Sequence, residues 1–132
     1  MTAVRSDIST EGIHATIAAY ARHLDAHQPD ELVALFCPDG VSEIVGMARF
    51  VGRDELRAGY GGMTPAGPQL HLVGNTVVER TGPDTARANS DLALFSRSED
   101  GWGVSLTGHY ADVLHHDGEA WRFHERVLTL QM

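Results

Sequence analysis

Four long runs with strand-like alternation, over residues 70–80, 85–97, 103–116 and 120–130, fill the second half of this chain. The breaks between them are Gly82-Pro83-Asp84, Glu99-Asp100-Gly101 and Asp117-Gly118. These are residues that reverse a chain tightly, so the four runs predict an antiparallel meander. Runs this long need cover on one face, and the first half of the chain must supply it.

That first half has helical periodicity. Ser9 or Thr10 can cap a helix running to about His27, with Ile13, Ile17, Tyr20 and Leu24 as its apolar stripe. Pro29, Asp30 and Glu31 suit the first turn of a second helix, predicted over 30–37 and ended by Pro38-Asp39-Gly40. Residues 41–45 and 48–51 predict a short hairpin around Gly46-Met47. Gly52-Arg53-Asp54-Glu55 opens a third helix that carries Leu56 and Tyr60 and stops at Gly61-Gly62. Helices first and a meander afterwards give an α+β fold with segregated layers. A strongly curved antiparallel or mixed sheet wrapped on three N-terminal helices leaves a cavity at its open end, where small molecules bind.

At 132 residues and 42% hydrophobic content, one domain over 1–132 with a single core is expected, residues 1–8 being polar and frayed. The net charge of −8 disfavours nucleic acid and anionic membrane as partners. No apolar run reaches membrane-spanning length, and no signal-peptide core opens the chain, so a soluble, cytoplasmic protein is expected. Cys37 is the single cysteine and reads as a small buried hydrophobe.

Among the polar residues, Asp25 falls near the end of the first helix, where the helix dipole disfavours an anion; a partner or a function is needed to hold it there. On a helical wheel it shares a column with His14, Ala18 and Ala21, beside the apolar stripe. His71 alternates with Val73, Asn75 and Val77 on one face of the first long run. A carboxylate that accepts from one imidazole nitrogen fixes the tautomer and leaves the other nitrogen a free base that works near neutral pH. Tyr20 reads equally as a core residue and as a phenol donor. Arg126 shares a face with Leu128 and Leu130 and reads either as a pocket cation or as half of a surface salt bridge. Tyr60, Asn75, Asp91, Tyr110 and Asp112 are candidates for binding substrate, with Tyr110 and Asp112 on one strand face. His109, His115, His116 and His124 lack His-x-His or helical metal-ligand spacing and read mostly as surface or interface residues, with a metal site as the lesser alternative; the expectation is no metal and no cofactor.

The layout resembles the nuclear transport factor 2-like superfamily and, within it, the SnoaL-like proteins. The likeness is carried by Tyr20-Ala21-Arg22-His23-Leu24-Asp25, Leu35-Phe36-Cys37-Pro38-Asp39-Gly40, His71-Leu72-Val73-Gly74-Asn75, Gly108-His109-Tyr110-Ala111-Asp112 and Trp121-Arg122-Phe123-His124-Glu125-Arg126. The resemblance implies a cone-shaped α+β barrel around a deep, largely apolar pocket. Scytalone dehydratase, bile-acid 7α-dehydratase and hexachlorocyclohexane dehydrochlorinase share this fold and use an Asp–His dyad, whose positions Asp25 and His71 occupy. By the same resemblance, Tyr20 and Arg126 match a tyrosine and a late arginine of that group. This implies a cofactor-independent lyase, dehydratase-like, or an isomerase acting on a small hydrophobic cyclic substrate. The alternative is a non-catalytic small-molecule-binding or association module of the same fold. A homo-oligomer, dimer or trimer, is expected, with Val104, Leu106, Val113, Leu128 and Leu130 covering the outer sheet face.

Overall fold

The computed structural model describes residues 9–131; the expectation for residues 1–8 lies outside them. The elements run α1 (Glu11–Asp25), α2 (Pro29–Val33), β1 (Phe36–Ile44), β2 (Ala48–Val51), α3 (Gly52–Gly61), β3 (Gln69–Gly82), β4 (Thr85–Ser98), β5 (Gly101–His116) and β6 (Trp121–Gln131). The strands form one curved sheet in the order β2-β1-β6-β5-β4-β3. β1 runs parallel to β6 and every other pair is antiparallel, so the sheet is mixed. β2 and β3 are its two free edges, and the barrel is therefore unclosed.

The three helices pack on the concave face. Ile13, Ile17 and Tyr20 of α1, Leu32 and Val33 of α2, and Leu56 and Tyr60 of α3 meet Phe36, Ala86, Ala88, Leu92, Tyr110, Leu114, Trp121 and Phe123. Removing such side chains from water contributes about 1.5–3 kcal/mol each, which offsets the ordering of the layer. α1 is also tied to β6 by polar contacts. The Thr16 hydroxyl lies 2.8 Å from the Trp121 carbonyl, and the Trp121 indole N–H donates to the Ser9 carbonyl at 3.0 Å. Beyond α1, His27 takes a left-handed φ of 50°, and the Gln28 N–H returns to the His23 carbonyl at 2.9 Å. This closes the helix in a Schellman motif and fixes Asp25 in its last turn.

Three expectations change. The second helix ends at Val33, and Phe36 and Cys37 belong to β1; Pro38-Asp39-Gly40 lie within that strand instead of ending a helix. Burial of Phe36 against Phe123, ring centroids 5.2 Å apart, outweighs the local helical period. The pairing of β1 with β6 is irregular between Phe36 and Val41, which accommodates the proline and glycine. Cys37 is half-buried, not a core residue. Finally, β3 carries a bulge between Gly74 and Val77 with Asn75 at φ 52°. The bulge breaks the alternation, so Asn75 and Val77 are exposed while His71 and Val73 face inward.

Candidate active site

Asp25 and His71 meet in the wall between α1 and β3. The His71 Nδ1 lies 2.6 Å from Asp25 Oδ1, and the His71 backbone N–H donates to Oδ2 at 2.9 Å. The Gln69 side-chain amide adds a third donor, at 3.1 Å from Oδ1. These donors offset the unfavourable helix-end position of the carboxylate. A carboxylate only accepts, so Nδ1 carries the hydrogen and Nε2 is left as the unprotonated nitrogen. The side chains of the pair are 10% and 16% exposed, enough shielding to keep the contact from being a weak surface pair.

His71 borders a partly open cavity of about 190 Å³ whose lining does not include Asp25. Leu92, Leu94, Leu106, Leu128 and Leu130 form the apolar walls, and Tyr20, Ser42, Glu43, Tyr60, Tyr110 and Arg126 supply the other polar groups. Met47, on the exposed β1–β2 turn, and Met63, on the loop after α3, border it too. An open groove between α1 and β3 shares His71 and takes in Asp25. It is wider than the cavity but lacks the arginine and the tyrosines, so the convergent polar groups mark the cavity as the site.

Tyr60 links two other hydroxyls. Its own lies 2.7 Å from that of Tyr20 and 2.7 Å from Ser42 Oγ. Burial pushes the Tyr60 phenol up to about 12 and raises Tyr20 well above its ordinary value, so both stay protonated donors. Burial raises Tyr110 as well.

Arg126 is 1% exposed, and its guanidinium carbon lies 3.5 Å from the Tyr110 ring centroid, 4.2 Å from Tyr20 and 4.6 Å from Phe123. Its Nε is 3.2 Å from Asp112 Oδ1, close enough for an ion pair but not aligned for a hydrogen bond. Nε, both terminal nitrogens and both Asp112 oxygens consequently have no hydrogen-bond partner among the described residues. Burial raises the Asp112 carboxyl to about 6, against the lowering pull of Arg126. Burial alone would lower the Arg126 value, but the negative field of Asp112 and the tyrosines outweighs it and raises it. Unsatisfied charged donors beside a cavity are what an oxyanion or carbonyl ligand would satisfy.

Of the nominated residues, Tyr20, Tyr60, His71, Tyr110 and Arg126 thus border one cavity, with Asp25 behind His71 and Asp112 behind Arg126. Asn75 and Asp91 do not join them. They lie on the outer sheet face, where Asp91 accepts from Asn75 at 2.8 Å and pairs with His109 at 2.6 Å. Leu106, Leu128 and Leu130 are corrected in the opposite sense: they line the cavity, so they do not cover the outer face. Ser42 and Gln69 were not nominated, and nothing in their sequence surroundings marks them. Nor does spacing reveal that Cys37, His115 and His124 come together, their ligand-capable atoms within 4.8 Å of one another.

A curved, unclosed mixed sheet wrapped on three helices around a polar-tipped apolar cavity defines the nuclear transport factor 2-like class, with its cystatin-like fold. Within that class the chain belongs to the SnoaL-like domain family, whose profile matches residues 8–127. It is similar to a candidate scytalone dehydratase from Novosphingobium aromaticivorans, with TM-score 0.84 and 25% identity over 100% of this chain and 89% of that one. An NTF2-like protein with a cystatin-like fold from the same organism superposes with TM-score 0.83, at 26% identity over 91% of this chain and 80% of that one. A function-unknown protein from Mycobacterium tuberculosis, solved as an aspartate-to-asparagine variant, gives TM-score 0.86 at 23% identity over 99% and 76%, a likeness of fold alone. No curated protein matches the chain. No helix among the described residues is long and apolar enough to cross a membrane.

Proposed function

We propose that this protein is a lyase, dehydratase-like, or a closely related isomerase, acting on a small hydrophobic cyclic molecule without a bound cofactor. The observation that carries the reading is the 2.6 Å contact between His71 Nδ1 and Asp25, on a histidine that borders the Arg126 cavity. His71 Nε2 takes a carbon-bound proton, and Asp25 holds the ring and stabilises the imidazolium. The electron pair released from the C–H bond forms a carbon–carbon double bond as the leaving group departs with its own pair. In an isomerase it instead returns to a proton at another carbon. Tyr20 donates a hydrogen bond and Arg126 a fixed positive charge to the oxygen on which negative charge develops. The likeness to a candidate scytalone dehydratase adds support to a dehydration.

The cavity volume favours a substrate of one or two rings carrying a carbonyl or carboxylate for Arg126. Association with further copies of the chain, as a dimer or trimer, is supported by the exposed Leu70, Leu72, Trp102 and Val104.

The test is a panel of small alicyclic and aromatic β-hydroxy carbonyl compounds, with the conjugated product followed by ultraviolet absorbance. Replacing His71 by Ala is expected to lower kcat by about 10²–10⁴-fold with the fold intact by circular dichroism. Asp25→Asn, which keeps the shape but weakens the orienting contact, is expected to lower kcat more than it raises KM. Turnover retained in folded His71→Ala would sink the dyad. It would leave the binding-module alternative, in which ligand affinity survives the same change.

A further inference from the structure

On the convex face of the sheet, away from the cavity, three adjacent strands each present one metal-ligating side chain: Cys37 from β1, His124 from β6 and His115 from β5. Their donor atoms all lie within 4.8 Å of one another, and the two imidazoles stack with centroids 4.3 Å apart. We propose that Cys37, His115 and His124 form a structural site for a zinc-class divalent cation, with Asp39 or a water as the fourth donor.

Four observations carry this. First, one thiol and two imidazoles are the donor set that borderline-soft ions select over magnesium or calcium. Bonds of about 2.0–2.3 Å at tetrahedral angles place donors roughly 3.3–3.8 Å apart, so the present cluster needs only side-chain rotations of about an ångström. Second, His124 Nδ1 is shielded from solvent and has no hydrogen-bond partner among the described residues, while Asp39 Oδ1 stands 3.9 Å from it on an exposed side chain. Third, Cys37 Sγ has only a weak contact, 3.9 Å from the Arg122 carbonyl. Fourth, the cluster falls where the sheet is least regular. β1 pairs with β6 at Phe36↔Phe123 and next at Val41↔Glu125, so Cys37 and Asp39 sit in the looped-out segment and His124 opposite it. A cation there would pin β1 to β5 and β6 at the point where the regular β1–β6 register is interrupted.

The experiment uses untagged full-length protein, freed of metal by chelation, and Co²⁺ as probe. Cys37 is the single cysteine, so any thiolate-to-cobalt charge-transfer band reports on it alone. One equivalent of Co²⁺ per chain is expected to give that band with the intense visible absorption of a tetrahedral ion, and Zn²⁺ to abolish both. Cys37→Ser should remove the band. His115→Gln and His124→Gln should each weaken binding at least ten-fold, and His116→Gln should leave it unchanged. Zn²⁺ should also slow alkylation of Cys37 in the unaltered protein and raise its melting temperature, readouts that do not depend on any variant folding. Absence of the charge-transfer band, cobalt affinity indifferent to all three substitutions, or alkylation at the same rate with and without Zn²⁺ would each overturn the site. None of these readouts involves the cavity, so the proposed lyase activity stands or falls separately.

Discussion

Replacing Arg126 and Asp112 singly and together separates stability from function in the buried pair. Both are almost fully buried, and their 3.2 Å approach makes no aligned hydrogen bond. The Asp112 carboxyl is raised to about 6 from an ordinary 3.8 even with Arg126 beside it. At about 1.36 kcal/mol per pH unit, ionising Asp112 inside the protein costs about 3 kcal/mol. The sign follows from the raised value: the cost is absent below about pH 3.8, grows between there and about 6, and is complete at pH 7. Arg126→Met strands the carboxylate and removes three ring contacts, with an expected loss of about 3–5 kcal/mol at pH 7, limited by protonation of Asp112. The double variant Arg126→Met/Asp112→Leu removes both charges into a similar volume. It is expected to recover that loss and to match or exceed the unaltered protein by about 1–4 kcal/mol. Urea unfolding followed by tryptophan fluorescence measures all four proteins from pH 4.5 to 7. The advantage of the double variant should shrink by about 2 kcal/mol between pH 7 and 4.5, because protonation of Asp112 removes most of the ionisation cost that the unaltered protein carries at pH 7. A double variant as unstable as the sum of the two singles would refute the reasoning, since the pair would then support the fold. If the expected order holds, a guanidinium without hydrogen-bond partners among the described residues is retained at the expense of stability, as a ligand-binding charge would be.

Two further outcomes follow from packing. Gly59 lies under the Phe50 ring, and a Cβ there would come within 2.4–2.6 Å of three ring carbons; Gly59→Ala is expected to cost about 1–3 kcal/mol by overpacking, read as a lower urea midpoint at unchanged slope. Tyr60→Phe removes the hydroxyl that Tyr20 and Ser42 share and strands two buried hydroxyls, with an expected loss of about 1–3 kcal/mol by urea unfolding; Ser42→Ala in the same background should restore part of it, whereas no recovery would argue against the three-hydroxyl chain.

The site was legible where a local rule was broken and a distant partner could mend it. Asp25 stands against the dipole at the end of α1, a cost that signals a partner, and His71 is that partner. By contrast Cys37, His115 and His124 break no rule in sequence. They come from three strands, and only the parallel placement of β1 beside β6 brings them together, a pairing that no turn signal announces. Helix α2 was overextended because Leu35, Phe36 and Cys37 prolong an apolar run that a short helix and a buried strand share.

Strand parity explains both the successes and the errors in the sheet. Parity tells which residues share a face, but bulges at Gly74/Val77, Leu94/Phe95 and Val113/Leu114 shift it, and it never says which face is covered. Strand β4 held the missing information. Ala86, Ala88, Ser90, Leu92 and Leu94 alternate with Arg87, Asn89 and Asp91, small or apolar against polar, and only the first set can lie beneath α1. Taken that way, Asp91 points outward. Register then carries the assignment across the sheet, because Leu94 faces Leu106 and Gly108 faces Leu130. The leucines assigned to an oligomer surface are therefore cavity walls, and the apolar residues left exposed for association include Leu70, Leu72 and Val77 of β3 and Trp102 and Val104 of β5.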